Sequence, residues 1–338
     1  MKKPTFDYFK NKSAKEIGKS LLESTVKHKN TVIQYGSLIL VFIVFLISTG
    51  GRIFSAYNLK VLISQITPLL IMSTGLVFVF AHGGMDISVG AVIGLCSLVS
   101  VVVLNATGSV FLVLLVCVLI AVVLYAINCG VSEMFGLMST ISSLAIMFAA
   151  RGIVTYYVSQ TTQAIRVNDS SLLQLFQSNY GFMIAMCFIV VFVCWVLFSL
   201  TKLGKQAKAI GDNALSARQS GAKVNLVKML CYVVAGVAVG IASVFTLARV
   251  GSVSENMGSG REMDVLIALI LGGMNLSGGS KSRISSAVIG SITYVILSNG
   301  LSLSGVATQY IAIVKGILFV VIVLLTLRQS FNVREMPR

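Results

Sequence analysis

The sequence predicts an all-α integral membrane protein with roughly ten transmembrane helices. Three observations carry that expectation. Of 338 residues, 56% are hydrophobic and only 11% are charged, against about 25% charged in a soluble domain. Apolar runs close to the ~20 residues that cross a bilayer recur along the chain. The basic residues, which give a formal net charge of +15, gather in a few segments that flank those runs.

By the length rule, spans are expected near 31–50, 61–81, 89–105, 109–129, 138–158, 180–200, 229–249, 262–275, 285–300 and 309–327. The third, eighth and ninth are short or interrupted by glycine. Residues 1–30 carry +5, the loop 201–228 carries +5 and the tail 328–338 carries +2. Basic residues concentrated in alternate short loops mark the cytoplasmic side. A cytoplasmic segment 1–30, a membrane domain over 31–327 and a cytoplasmic tail 328–338 follow. Positive charge placed this way suits lipid headgroups and gives no reason to expect nucleic acid. The segment 160–179, where Arg166 and Asp169 cancel, is expected outside, flanked by Tyr156, Tyr157 and Tyr180. Residues 1–30 are too long and polar for a signal peptide. Ile17, Leu21 and Leu22 can form the apolar face of a short surface helix there. The six cysteines (Cys96, Cys117, Cys129, Cys187, Cys194 and Cys231) lie in apolar stretches without metal-type spacing. They read as small core residues with no disulfide.

Nearly the same eight residues interrupt the apolar pattern twice: Gly83-Gly84-Met85-Asp86-Ile87-Ser88-Val89-Gly90 and Gly272-Gly273-Met274-Asn275-Leu276-Ser277-Gly278-Gly279. Glycine weakens a helix, and an aspartate in hydrocarbon costs several kcal/mol. Paired, broken apolar segments in two halves of a chain point to a transport pathway. The alternative is that the glycine pairs serve close helix packing, which requires neither Asp86 nor Asn275. Asp86 is the first candidate for a pathway or gate. It can equally cap the following helix by accepting from the amides of Ser88 and Val89. Ser88, Gln65, Asn275 and Asn299 are neutral polar groups suited to an uncharged hydroxylated solute, or to bonds between helices. Arg151, Arg249 and Lys315 are expected to snorkel, and His82, at a span end, to sit at the interface.

The 201–228 loop contains Ala209 through Gly221. Asp212 or Asn213 can cap a helix of about two turns that Gly221 ends. Ala214, Ala217 and Arg218 then share a face. So short a helix is marginal in water; it either docks against something or is a solvated basic loop. A phosphate-cradling G-x-x-x-x-G-K-[ST] loop is absent: Leu203-Gly204-Lys205-Gln206 lacks the hydroxyl residue, and in Gly279-Ser280-Lys281-Ser282 the lysine is displaced. Energy must therefore come from a partner or an ion gradient.

The Gly83–Gly90 octet resembles the glycine–aspartate–serine signature of ribose-type permeases, the membrane subunits of ATP-binding cassette sugar importers. Ala209–Gly221 resembles that family's cytoplasmic coupling loop. Gly251 to Asp264, Gly272-Gly273, Ser277-Gly278-Gly279, Asn299-Gly300-Leu301 and Gly305-Val306 follow the family order, so the likeness covers most of 50–327. The resemblance implies a vitamin-B12-importer-like permease fold in the cell membrane, both termini cytoplasmic. It implies a non-enzymatic subunit without a cofactor of its own, paired with a second permease copy. ATP and magnesium would be bound by partner ATPase subunits, and a small, ribose-like sugar would arrive on an external binding protein. Asn213, Ala214, Ala217, Arg218, Ser220 and Gly221 would couple to the ATPase, which decides the loop in favour of docking. Departures are Asn275 and Ser277 in the second octet, Lys281 and Arg283 just after it, and Ser139-Thr140-Ile141-Ser142-Ser143 where the family often has proline. The alternative from another class is an ion-coupled secondary transporter of a small polar solute with Asp86 as its ion site. A membrane enzyme would need an acid–base pair or metal cluster that the sequence does not offer.

Overall fold

A computed structural model describes residues 29–161, 165–168, 174–275, 277–307, 309–317 and 319–320. The expected cytoplasmic segment up to residue 28 (with Ile17, Leu21 and Leu22), Asp169, Leu276 and the tail 328–338 lie outside the described residues. In chain order the helices are α1 (Lys29–Ser48), α2 (Ala56–Ala81), α3 (Val89–Thr107), α4 (Val110–Phe135), α5 (Ser139–Ser159) and α6 (Tyr180–Trp195). A π-helical turn, Val196–Leu200, extends α6. Then come α7 (Lys202–Asp212), α8 (Ala214–Gln219), α9 (Val224–Val250), α10 (Arg261–Leu271) and α11 (Ile284–Leu303), with further helix over 309–317. Two short strands, β1 (Ile165–Arg166) and β2 (Ser252–Val253), pair antiparallel.

Seven described helices are long and apolar enough to cross a membrane: α2, α3, α4, α5, α6 with its extension, α9 and α11. In α1 the apolar stretch is the shorter Tyr35–Ser48. The expected eighth span proves to be α10, only 11 residues long: it begins at Arg261, next to the expected start, but closes at Leu271, where Gly272 and Gly273 end the helix. The expected tenth span lies partly beyond the described residues.

Helices α2, α3, α9 and α11 are mostly buried, whereas α4, α5 and α6 expose most of their apolar surface. In lipid there is no hydrophobic drive between apolar helices, so small residues that admit close backbone contact select the packing. Helix α9 shows this on two sides. A Cβ on Gly236 would lie 2.8 Å from the Val122 Cα of α4, and one on Gly240 would lie 2.6 Å from the Val118 Cα. On the other side Ala235 and Ala238 fit against Gly75 of α2. The most polar helix, α7, buries only Gly204, Ala207 and Ile210 along one side and leaves Lys202 and Lys205 exposed.

The chain between α2 and α3 is not helical, yet most of its residues are buried. Non-helical backbone inside a membrane protein must find partners within the protein. Here α5 supplies them: the Ser139 hydroxyl accepts from the Met85 amide (3.0 Å), and the Ser143 hydroxyl accepts from the Ile87 amide (3.2 Å). The two serines stand one helical turn apart, and alternate amides of an extended run meet them. This explains the serines found where proline was expected, since proline would offer no hydroxyl. Replacing both (Ser139→Ala with Ser143→Ala) strands two buried amides at ~1–3 kcal/mol each. The double variant should melt several degrees lower in detergent than either single variant, as read by tryptophan or dye fluorescence.

Candidate functional site

Both glycine breaks begin with the same backbone device. Helix α2 closes with the Gly83 amide on the Phe80 carbonyl (3.0 Å) and the Gly84 amide on the Val79 carbonyl (3.1 Å). Helix α10 closes with Gly273 on Ile270 (2.8 Å) and Met274 on Leu269 (3.0 Å). In each, the first of the two residues is a glycine with positive φ, +82° for Gly83 and +77° for Gly273, as this helix ending requires. The structural repeat is thus shifted by one residue from the sequence repeat: Gly83 matches Gly273, not Gly272. Gly272 answers a different demand, because a Cβ there would overlap the Ser286 carbonyl of α11. Beyond this point the breaks diverge. The first runs straight into α3, where Gly90 lies in the helix against Gly258 and Glu262. The second turns again through Gly278 (φ +71°) and Gly279 (φ +90°) before α11.

The two breaks touch, and α7 clamps them. The Gly279 amide donates to the Ala81 carbonyl at the end of α2 (2.8 Å). A Cβ on Gly278 would overlap the Phe80 oxygen, and one on Gly211 of α7 would overlap the Ala81 oxygen. Asp212, the last residue of α7, accepts the Ser280 amide on both oxygens (3.0 and 3.1 Å). A carboxylate at a helix C-terminus opposes the helix dipole, so this position is served by the contact rather than by the helix. Asp212, Ser280 and Gly211 were not singled out for this from sequence, since their partners lie dozens of residues away.

One residue separates α7 from α8. Asn213 ends α7, and its side chain accepts from the Leu215 and Ser216 amides (3.0 Å each) to start α8. At the far end the Gly221 amide bonds Arg218 and the Ala222 amide bonds Ala217, with Gly221 at φ +86°. Of the expected face, Ala217 turns inward, while Ala214, Arg218 and Ser220 stay exposed beside Leu215. The six-residue helix is thus capped at both ends and leaves Leu215 66% exposed.

Asp86 is buried at the first break. Its Oδ1 accepts from the Ser88 amide (2.8 Å) and the Ser88 hydroxyl (2.6 Å), which turns the chain into α3. Tyr125 and Tyr232 are neighbours of this buried carboxylate. Tyr232 also packs on His82, ring centroids 5.7 Å apart. His82 is therefore buried beneath the break rather than interfacial. Burial, aided by the neighbouring Lys228 ammonium, pushes its pKa down to about 4. In the second break Asn275 Oδ1 accepts weakly from the Ser277 amide (3.4 Å). Gln65 and Asn299 do not join this site. Gln65 lies 18 residues before Gly83 on α2, roughly 27 Å along the helix. Asn299 accepts from Asn58 (3.0 Å) at that same far end.

Of the three cations expected to snorkel, Arg151 and Lys315 find partners inside the protein. Arg151 donates to the Met257 carbonyl (2.9 Å). Lys315 and Arg261 pair with Asp264 (3.1 and 3.3 Å), which the Tyr294 hydroxyl also meets. Asp264 thereby ties α10, α11 and the helix over 309–317. Its place as the acid nearest the apolar run Val265–Leu271 was the available signal. Among the described residues no cluster of histidine, cysteine and acidic groups could hold a metal ion.

Gly211→Ala should lower the melting temperature by several degrees, as an overpacked contact costs about 1–3 kcal/mol. Gly130→Ala, with nothing within 4 Å, should be neutral or slightly stabilising. His82 gives a pH dependence. Unfolded, it takes a proton near 6.5, whereas folded it does so only near 4. Stability should therefore fall as pH drops from about 6.5 towards 4, by up to roughly 3 kcal/mol. Melting curves of His82→Gln should lose that part of the slope.

The ribose import permease RbsC of Bacillus subtilis (strain 168) is 33% identical over 310 residues, covering 87% of this chain and 92% of that protein. Escherichia coli (strain K12) RbsC is 26% identical over 297 residues, covering 85% and 90%. The galactose/methyl galactoside import permease MglC of the same strain is 26% identical over 303 residues, covering 84% and 90%. No solved structure matches the chain. The family described as branched-chain amino acid transport system / permease component matches residues 58–323. With most of its length matched in this way, the chain belongs to that permease family.

Proposed function

We propose that the chain is the membrane-spanning subunit of an ATP-driven importer for a small sugar, ribose-like in size and polarity. Relatives named as ribose and galactose permeases, each matched over most of its length, support a sugar. In this reading the fold is a ten-span, vitamin-B12-importer-like permease with both termini cytoplasmic. A second permease copy completes the pathway, and an external binding protein delivers the solute. The chain binds no ATP or magnesium; partner ATPase subunits supply both.

The observation that carries the proposal is the exposed, doubly capped α8, joined through one residue to α7. Arg218 and Leu215 present the surface an ATPase cleft would grip. Movement of α8 pulls on α7, and the Asp212–Ser280 and Gly211–Ala81 contacts carry the pull to both breaks. Asp86 and Ser88 then act as the hinge that re-aims α3, with Asn275 as the counterpart before α11. An ATP-driven device of this kind needs no ion site in its own chain.

The test is mild-detergent purification of the tagged chain from its native host, with co-eluting proteins identified by mass spectrometry. A nucleotide-binding subunit in near-equal amount is expected, and it should be lost with Arg218→Glu while the variant keeps its melting temperature. Sugar uptake by cells carrying Arg218→Glu should fall at least tenfold. A chain that elutes alone and transports on an ion gradient, with activity lost in Asp86→Asn, would overturn the reading.

A further inference from the structure

The apolar surface where α1, α6 and α11 meet is hollowed into a groove of about 340 Å³, lined chiefly by Tyr35, Phe188, Phe192, Trp195, Ile284 and Val288. The four aromatic residues are exposed, and the Phe192 ring stacks near Phe188 and Trp195 at centroid distances of 6.2 and 6.1 Å. Tryptophan and tyrosine at a helix end belong at the membrane interface. Ile284 opens α11 and Trp195 nearly closes α6, so the groove lies towards the end of the molecule that carries α7 and α8.

Two neighbouring cations stand at that end of the molecule, Arg283 bordering the groove next to Ile284 and Lys208 close to Arg283. Arg283 immediately precedes Ile284, is exposed, and sits at the positive end of the α11 dipole, where a cation is unfavourable without an anion. Lys208 of α7 holds its ammonium 4.6 Å from the centre of the Phe198 ring, one turn beyond Trp195. Burial first, and then the nearby Arg283, push the Lys208 pKa down. Among the described residues neither cation makes an ion pair. An apolar furrow bordered by Arg283, with Lys208 close behind it and neither cation in an ion pair among the described residues, is the chemistry of a site for an acidic lipid headgroup.

We propose that this groove binds an anionic phospholipid, with an acyl chain against the aromatic residues and the headgroup phosphate between Lys208 and Arg283. Charge decides between occupants. The chain's own segment 1–30 carries +5 and would add to the repulsion, whereas one phosphate relieves it. The lipid bridges α7 and α11, flanking the Asp212–Ser280 contact, so leaflet composition bears on how firmly α7 is held. This inference needs only membrane insertion and stands apart from the proposed substrate and partners.

The test is native mass spectrometry of the full-length chain, purified in mild detergent and offered phosphatidylglycerol or phosphatidylcholine. Phosphatidylglycerol should be retained roughly tenfold better. The Lys208→Gln/Arg283→Gln variant should hold both lipids at the phosphatidylcholine level. Val288→Trp, which fills the groove, should lose both. Unchanged melting temperatures identify variants that fold, and a photo-crosslinker at Ser285 in the otherwise native chain reads the occupant directly. Crosslinks to phosphatidylglycerol support the proposal. Equal retention of the two lipids, or crosslinks to a second copy or to the segment 1–30, overturns it.

Discussion

The close approach of three backbones at Ala81 sets the geometry of this end of the molecule. The end of α2, the turn through Gly278 and Gly279, and the last turn of α7 meet with no side chain between them. Glycine is required at Gly211 and Gly278 because any Cβ would enter a carbonyl oxygen. At Gly278 and Gly279 the positive φ is a second, separate reason. Packed backbones of this kind do not deform gradually; they hold or they move together. The junction therefore joins α7 directly to both glycine breaks.

Membrane burial explains the rest of the architecture through a single demand, that every polar group be satisfied within the protein. The extended run after Gly84 meets it with the Ser139 and Ser143 hydroxyls. Arg151 meets it with the Met257 carbonyl, and Lys315 with Asp264. At Asp86 one carboxylate oxygen meets it with the amide and hydroxyl of Ser88.

Much of the fold was legible in the sequence, because the spans were long apolar runs and the breaks were glycine pairs. Helix α8 was legible too: Asn213 and Gly221 are its local start and stop signals, and they cap it as drawn. The start of α10 was legible as well, and the span over 262–275 reads as short, but the stop of the helix at Leu271 was not legible. The register shift between the breaks was also hidden. Both octets begin Gly-Gly, yet one glycine of the second pair serves φ and the other serves packing on Ser286. Sequence shows which residue is glycine and not why. The grouping of Gln65 and Asn299 with Asp86 rested on residue type alone, and tertiary distance separates them. The Asp212–Ser280 contact joins positions 68 apart, a separation no local signal encodes.

The central claim is that α7 and the second break move as one body when α8 is displaced. Spin labels at Ala209 and Lys281, both exposed, measure it by pulsed electron paramagnetic resonance in the assembled transporter, with the native cysteines replaced. A second pair, Ala209 and Met134, reports α7 against α4. Between nucleotide-free and ATP-trapped states the first distance should stay fixed while the second changes by several ångströms. A first distance that changes, with the second fixed, would contradict the account.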